Sequence, residues 1–519
     1  MDYTDTIVIC DFGGQTAQLI ARRIREIGVY TEIVPADTPL EGELRAAAKG
    51  IVFSGSPYSV SDPEPLWPDE TMFSAGVPIL GICYGTHVLV HAAGGQVSAL
   101  ETREYGRAKV SYREASPLFE GIPEGFVSWM SHGDSIDLLG EGFSVAAESE
   151  NGLIAAVHDT EGRRYGLQFH PEVSHCEYGR ELLGNFALSI CGARAAWSME
   201  RYIEEEEEEI RARVGERSVM LLISGGVDST VTAGLLLRAL APDAVHLLHI
   251  DTGLMRKEES KQVVKDLEAL GARNFHFFDA SEEFLDALSG VAEPEKKREI
   301  IGDLFIRVQE REVERLGIRD AFLAQGTLYT DMIESGKGVG KKAHVIKSHH
   351  NVRSPLVEEK RRRGLVVEPL RHLYKDEVRA LGEKIGISRE LVHRHPFPGP
   401  GLAVRILGEV TEEKCRILRE ADALYIGELK RRGLYEEIWQ AFCVLLPLRS
   451  VGVTGDARNY GYVVALRAVC SSDGMTADVY PFPAEHLLEI SSLITNAVQE
   501  VGRVVYDVSS KPPSTIEWE

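Results

Sequence analysis

A cysteine flanked by glycines where an apolar run turns into a helical pattern is placed for nucleophilic chemistry. This chain has one in Pro78-Ile-Leu-Gly-Ile-Cys-Tyr-Gly-Thr-His-Val-Leu89. Gly81 and Gly85 stand two positions either side of Cys83, a spacing that permits a tight strand-to-helix turn with the sulfur exposed. A thiol at a helix N-terminus faces the positive end of the dipole, which lowers a cysteine pKa from about 8.5 towards roughly 3.5–7.5. The same residues also suit a small core cysteine at a strand end. What favours chemistry is Gly166-Leu-Gln-Phe-His-Pro-Glu172, an apolar strand that ends in His170 and Glu172. In extended chain these two side chains leave the same face, so the carboxylate can orient the imidazole while the imidazole meets a cysteine from a neighbouring strand. Such a set suits acyl transfer from an amide. The imidazole accepts the thiol proton and returns it to the leaving amine, and the carboxylate fixes the tautomer.

A second constellation lies in Leu222-Ile-Ser-Gly-Gly-Val-Asp-Ser-Thr230, again between an apolar strand and a helical pattern. Gly225, Gly226 and Val227 let backbone N–H groups converge, Ser224, Ser229 and Thr230 add hydroxyls, and the helix start adds its dipole. This is an anion cradle without the Walker spacing, which the later Gly336-Lys-Gly-Val-Gly-Lys341 also misses. Asp228 suits a magnesium ligand, because a hard cation prefers carboxylate and phosphate oxygens, and it equally suits a first-turn helix carboxylate. Asp251, at the end of the next strand, faces the same crevice in such a fold and is given no direct role.

The elements that must hold these residues show as rhythm. Short apolar runs at 6–10, 51–53 and 77–83 alternate with helical periods at 15–27 and 86–93, which predicts a mostly parallel sheet covered by helices. A second α/β rhythm starts at 219–223, with a helix expected at 231–240 and another strand at 244–250. The cluster His395-Pro-Phe-Pro-Gly-Pro-Gly401 excludes helix interior and central strand, and marks a rigid turn or boundary. Beyond it, a helical pattern over 409–433 and strand-like runs at 462–466 and 504–506 predict a small α+β unit. The expected organisation is two parallel-sheet α/β domains, 1–196 and 197–395, followed by a small α+β domain, 396–519. The glutamates at 204–209 read as a solvated helix face near the first junction. The stretch 336–364, with Lys341, Lys342, Lys347 and Lys360-Arg-Arg-Arg363, reads as a mobile basic loop or a solvated surface.

Composition narrows the function classes. A length of 519 residues favours about three domains. With 57 Lys+Arg against 80 Asp+Glu, the formal net charge of -23 repels polyanions, so a nucleic-acid polymer is a poor partner. No basic start leads into an apolar run and no stretch approaches the roughly 18 apolar residues of a membrane helix, so a cytoplasmic location is expected. The seven cysteines are scattered without CxxC spacing, which argues against a disulfide framework or a zinc ribbon and leaves a nucleophile as the special role.

On Asp11-Phe-Gly-Gly-Gln15, Ser54-Gly-Ser-Pro57, Gly81-Ile-Cys-Tyr-Gly85, Ser131-His-Gly-Asp134 and Gln168-Phe-His-Pro-Glu172, the first 190 residues resemble the class I glutamine amidotransferases. The resemblance implies that Cys83 attacks the glutamine side-chain amide and releases ammonia, with backbone N–H groups of Gly55 and Tyr84 as the oxyanion hole. His87 stands where that family usually carries Gln, and reads as a surface or packed histidine. The 224–230 loop resembles the pyrophosphate loop of the N-type ATP pyrophosphatases, which hold the β and γ phosphates while a substrate oxygen attacks the α phosphate.

Over the full chain, Pro294-Glu-Lys-Lys-Arg298, Ala324-Gln-Gly-Thr-Leu-Tyr329, Asp331-Met-Ile-Glu-Ser335, Ile346-Lys-Ser-His-His-Asn351, the 395–401 cluster and Lys511-Pro-Pro-Ser-Thr-Ile-Glu-Trp-Glu519 resemble the glutamine-hydrolysing GMP synthetases. That family resemblance implies amination of xanthosine monophosphate (XMP) to GMP, using glutamine, ATP and Mg2+, with AMP and pyrophosphate released and no permanently bound cofactor. It implies XMP contacts from Arg298, Lys511, Ile516 and Glu517, a lid at 346–351, and a homodimer formed through 396–519. A tRNA-modifying pyrophosphatase is the alternative enzyme, opposed by the net charge and by the glutamine-hydrolysing half. A non-catalytic assembly role is opposed by the intact Cys83, His170 and Glu172 set.

Overall fold

The computed structural model describes residues 5–14, 16–329, 331, 355–454, 457–471 and 476–519. Gln15, the 332–335 part of the Asp331 motif, the basic run through Lys341, Lys342 and Lys347, and the expected lid at 346–351 lie outside these. The chain divides into two compact units, one carried by residues up to Tyr202 and one that begins at Ile203.

The first unit is built on β1 (Thr6–Asp11), β2 (Tyr30–Pro35), β3 (Ala48–Phe53), β4 (Ile79–Ile82), β5 (Gln96–Tyr112), β6 (Phe126–Leu138), β7 (Phe143–Ser149), β8 (Ile154–Asp159) and β9 (Arg164–Leu167). Their order is β2-β1-β3-β4-β9-β8-β7-β5-β6. The half from β2 to β9 is parallel, and β1 is buried at every position, as a strand covered on both faces must be. From β9 onwards the pairing is antiparallel, so the sheet is mixed. That second half is absent from the sequence rhythm, because β5 and β6 are polar strands that bury alternate residues such as Ala108, Val110, Phe126 and Met130.

In the second unit, β10 (Val219–Leu222), β11 (Val245–Asp251), β12 (Asn274–Asp279), β13 (Phe322–Ala324) and β14 (Val366–Val367) form a parallel sheet ordered β12-β11-β10-β13-β14. The chain leaves β10 towards β11 on one side and later returns to β13 on the other. The carboxyl end of β10 is therefore the switch point where open α/β sheets bind ligands, and the 224–230 loop starts there. A further sheet pairs β15 (Gln440–Thr454) and β17 (Asp478–Val479) antiparallel to β16 (Ala457–Cys470), with β18 (Val501–Tyr506) parallel to it.

One hydrophobic cluster crosses the 395/396 position. It joins Leu254, Phe284 and Leu304 to Leu402, Leu418, Tyr425, Leu466 and Ile490. Gly401 is required there, because at φ +62 a Cβ would lie 2.4 Å from the carbonyl oxygen of Leu254. Leu418 is fully buried, so Leu418→Ala should cost about 2–5 kcal/mol by urea unfolding. Because the cluster is shared, the loss should appear in one transition that includes the 219–324 sheet.

The glutamate run corrects the sequence reading. Within the helix Met199–Val214, Glu206 is buried on the same stripe as Ile203, Ile210 and Val214, and burial with Glu209 nearby pushes its carboxyl up to about 8. Glu207 instead accepts from Arg238 Nε at 2.7 Å, and Glu209 from Arg371 Nη2 at 3.3 Å. Among the described residues, no helix is long and apolar enough to cross a membrane.

Candidate active site

Cys83 sits between β4 and the helix Tyr84–Ala92 with φ +51 and ψ -107, a conformation that costs a non-glycine residue about 1–3 kcal/mol. Its neighbours enforce it. Cys83 N donates to Leu167 O at 2.7 Å, and Thr86 Oγ1 donates to the carbonyls of Gly81 and Leu167 at 3.0 and 2.9 Å. A Cβ at Gly81 would lie 2.5 Å from Gly85 backbone, and one at Gly85 would lie 2.2 Å from Phe53 O, so both flanking positions must be glycine. The result is a sulfur held at a helix start.

His170 Nδ1 lies 2.7 Å from Glu172 Oε1, and His170 N donates to Trp129 O on β6 at 3.1 Å. Glu172 is fully buried, with Oε2 unpartnered among the described residues. A Cβ at Gly55 would lie 3.2 Å from His170 Cε1 and 3.8 Å from Cys83 Cβ, so Gly55, His170 and Cys83 converge. The amides of Gly55 and Tyr84 pair with no backbone carbonyl among the described residues. Burial disfavours the imidazolium, but the Glu172 carboxylate and the Cys83 sulfur outweigh it and hold His170 well above its ordinary pKa.

Folded His170 keeps a proton that the unfolded chain gives up near pH 6.5, so its stabilisation is full below about pH 6.5 and is lost as pH rises through the folded value. Glu172→Gln should flatten that fall in urea-unfolding stability above about pH 6.5 and lower glutamine hydrolysis by about 10²–10⁴-fold.

Sequence reasoning missed two groups around the sulfur. Cys83 Sγ is 3.9 Å from Ser131 O and 3.9 Å from Gln168 Nε2. Gln168 was detectable, since it stands two before His170 in extended chain and so shares its face. His87 is a packed residue, 3% exposed, with Nε2 2.7 Å from Gln168 Oε1.

The 224–230 loop is organised by its own hydroxyls. Gly225 adopts φ +79, Gly226 N donates to Ser224 Oγ at 3.2 Å, and Ser229 Oγ and Thr230 Oγ1 donate to Gly226 O at 3.1 and 2.9 Å. Val227 and Asp228 open the helix Val227–Ala239. Two basic residues not found in the sequence reading close on the loop. Lys375 Nζ bonds Asp228 Oδ1 at 2.6 Å, and Arg394 bonds Gly225 O at 2.9 Å and Glu259 Oε1 at 2.7 Å. No local motif marks them, because they reach the loop from 147 and 169 residues away. Asp251 accepts from Gly253 N at 2.8 Å, a local turn. Among the described residues, no group of three or more His, Cys, Asp or Glu is arranged to hold a metal ion.

Of the expected XMP residues, Arg298 and Glu517 lie at the tail anchor. Arg298 Nη2 donates to Glu519 O at 2.5 Å. Glu517 accepts from Arg405 Nε and Nη2 at 3.1 and 2.8 Å and from Gln440 Nε2 at 2.8 Å. Lys511 pairs through its backbone with Ala477, and Ile516 is buried with Phe442, Val444, Ala465 and Val469. Lys297, fully buried, was missed: its Nζ bonds Ile406 O at 2.7 Å and Glu519 Oε2 at 2.5 Å.

Comparison with known proteins gives two domain matches. Residues 8–190 match the family model for class-I glutamine amidotransferase, and residues 427–518 match the GMP synthase C terminal domain. A glutamine-hydrolyzing GMP synthase of Caldicellulosiruptor saccharolyticus is 50% identical over 515 residues, 99% of each chain. That of Aquifex aeolicus is 51% identical over 516 residues, again 99% of each. That of Chlorobium chlorochromatii is 49% identical over 520 residues, 99% of this chain and 100% of its own.

Proposed function

Because this chain belongs to the family of glutamine-hydrolysing GMP synthases, we propose that Cys83, His170 and Glu172 carry its glutamine hydrolysis and the 224–230 loop its adenylation step. The enzyme is a ligase that forms GMP with glutamine as nitrogen donor, and its small-molecule substrates are glutamine, XMP and ATP. The observation that carries the residue assignment is the positive-φ Cys83 elbow beside a His170–Glu172 contact of 2.7 Å.

In the glutamine site, His170 takes the Cys83 proton and the sulfur bonds to the side-chain amide carbon. The carbonyl oxygen becomes an anion opposite the Gly55 and Tyr84 amides, where fixed donors cost no reorganisation. The C–N bond then breaks as His170 returns its proton to the nitrogen, and ammonia leaves. Water, losing a proton to His170, cleaves the thioester to glutamate and restores the thiol. Glu172 stabilises the imidazolium formed in each half.

At the 224–230 loop, backbone amides and hydroxyls hold the β and γ phosphates of ATP. The XMP C2 oxygen bonds to the α phosphorus and pyrophosphate leaves; ammonia then bonds to C2 and AMP leaves. Lys375 and Arg394 supply positive charge beside the loop. The donor set fits a magnesium ion arriving with ATP, since Mg2+ is commonly held by one or two carboxylates with substrate phosphates and water. Asp228 would hold it, and the ion would neutralise phosphate charge.

We assign residues 1–196 to the amidotransferase, 197–395 to the ATP pyrophosphatase and 396–519 to dimerisation and substrate binding. Arg298, Lys511, Ile516 and Glu517 are the XMP contacts in this reading, and the cytoplasm, where XMP and ATP occur, is its compartment. Support for the homodimer is an apolar face. Val451 and Val453, two apart on β15, and Tyr460, paired with Val451 on β16, are 52%, 77% and 58% exposed. Sedimentation should show a dimer at micromolar concentration, and a monomer would reject that assignment. Incubation with XMP, ATP, magnesium and glutamine should yield GMP, AMP and pyrophosphate in equal amounts. ADP and orthophosphate in place of AMP would overturn the adenylation step.

A further inference from the structure

His87 and Gln168 are buried polar side chains to which the proposed glutamine chemistry gives no task. His87, on the helix Tyr84–Ala92, is itself buried, and burial penalises an imidazole without a partner. Its Nε2 lies 2.7 Å from Gln168 Oε1, and Gln168 Nε2 lies 3.9 Å from Cys83 Sγ. Gln168 is itself 2% exposed, and its backbone N–H is tied to Ala155 O at 2.8 Å.

We propose that His87 and Gln168 form a relay that stabilises the Cys83 thiolate: His87 Nε2–H donates to Gln168 Oε1, which fixes the amide with its N–H facing the sulfur. This rests on the reading of Cys83 as the nucleophile. A primary amide can be turned end for end, and the turned form would set a carbonyl oxygen against an anionic sulfur. A histidine protonated on Nε2 can only donate at that atom, so it selects the orientation that presents N–H to sulfur.

The surroundings of His87 keep it neutral, so it brings no positive charge beside the sulfur. Burial lowers its pKa to about 4, against the raising effects of Gln168 and Asp134, and His132 adds to the lowering. Asp134 and His132, both on β6, are the charged or titratable groups that act on it. No second imidazolium therefore competes with His170 for the sulfur charge.

The two donors divide the work. His170 exchanges a proton with the sulfur, whereas the Gln168 N–H stays in place through the cycle. Its bond is strong while the sulfur is an anion and weak in the thioester, so it favours both thiol deprotonation and departure of the thiolate when water cleaves the acyl group. Gln168 touches the reacting atom, and His87 is a positioning residue that acts through it. The glutamine usual in the amidotransferase family at position 87 also has an amide N–H, so His87→Gln is the conservative exchange.

The test is the pH profile of Cys83 alkylation by iodoacetamide in the full chain, with the site read by peptide mass mapping, beside kcat and KM for glutamine hydrolysis. Gln168→Glu keeps the shape and replaces the donor with a carboxylate; His87→Leu removes the orienting group. Each should slow Cys83 alkylation at neutral pH about tenfold, the worth of one hydrogen bond to a charged acceptor, and move the profile to higher pH. Both should lower kcat with little change in KM, and His87→Gln should restore the profile. If folded Gln168→Glu keeps the wild-type alkylation profile, the relay is wrong. It is equally overturned by faster alkylation in folded His87→Leu, or by a change confined to KM, which would make the pair a glutamine-binding group. A failed relay is told apart from a wrong nucleophile by inactivation: alkylation of Cys83 still abolishes glutamine hydrolysis in the first case and leaves it intact in the second.

Discussion

Cys83→Ala should abolish glutamine-dependent GMP formation, by at least about a thousandfold, while GMP formation from added ammonia continues. The sulfur is the only protein atom asked to form a covalent bond with glutamine, and alanine at that position leaves no thiol for His170 to deprotonate. The adenylation loop takes its atoms from Ser224–Thr230, Lys375 and Arg394, all in the unit that begins at Ile203. The measurement compares AMP release with glutamine and with ammonium salt as nitrogen source. Loss of both activities in a folded variant would show that the two chemistries are not separable.

The second large effect concerns Asp228 and Lys375. Asp228→Asn and Lys375→Met should each lower ammonia-driven AMP formation by about a hundredfold, the usual scale for removing a group that meets developing charge. Their 2.6 Å contact joins side chains that are 32% and 44% exposed. An ion pair that wet contributes about 0–1 kcal/mol to stability, so its worth lies in what the charges do when nucleotide arrives. Thermal unfolding should therefore hardly change while the rate falls. If AMP formation by Asp228→Asn stays at the wild-type rate, the carboxylate has no role at the phosphates.

What the sequence reveals depends on how far apart the cooperating residues lie. Gly81, Cys83 and Gly85 are local, as are His170 and Glu172, so spacing alone sets out the elbow and the oriented imidazole. In the parallel half of the first sheet β1, β3, β4 and β9 are legible because strands buried on both faces are continuous apolar runs, whereas the edge strand β2, with Thr31 and Glu32, is not. β5 and β6 bury largely alternate residues among many polar ones, whereas β8 and β15 hold continuous buried apolar runs at Ala155–Val157 and Ala441–Leu445 that sequence reasoning passed over. Lys375 and Arg405 meet their partners across 147 and 112 residues, a distance no local pattern spans. Glu206 was hidden differently. Six identical residues in a row erase their own periodicity, and only Ile203 and Ile210 on either side betray the buried stripe.

The cluster that links Leu254, Phe284 and Leu304 to Leu418 and Tyr425 governs how this molecule can be taken apart. A gene truncated at codon 395 would translate into polypeptide whose oily flank has lost its cover, and such fragments precipitate or are degraded. Anyone seeking a minimal ammonia-using enzyme should therefore start the reading frame near Ile203 and keep everything downstream. A chimera joined at 395/396 would part the same cluster, whereas one joined near Ile203 leaves it whole.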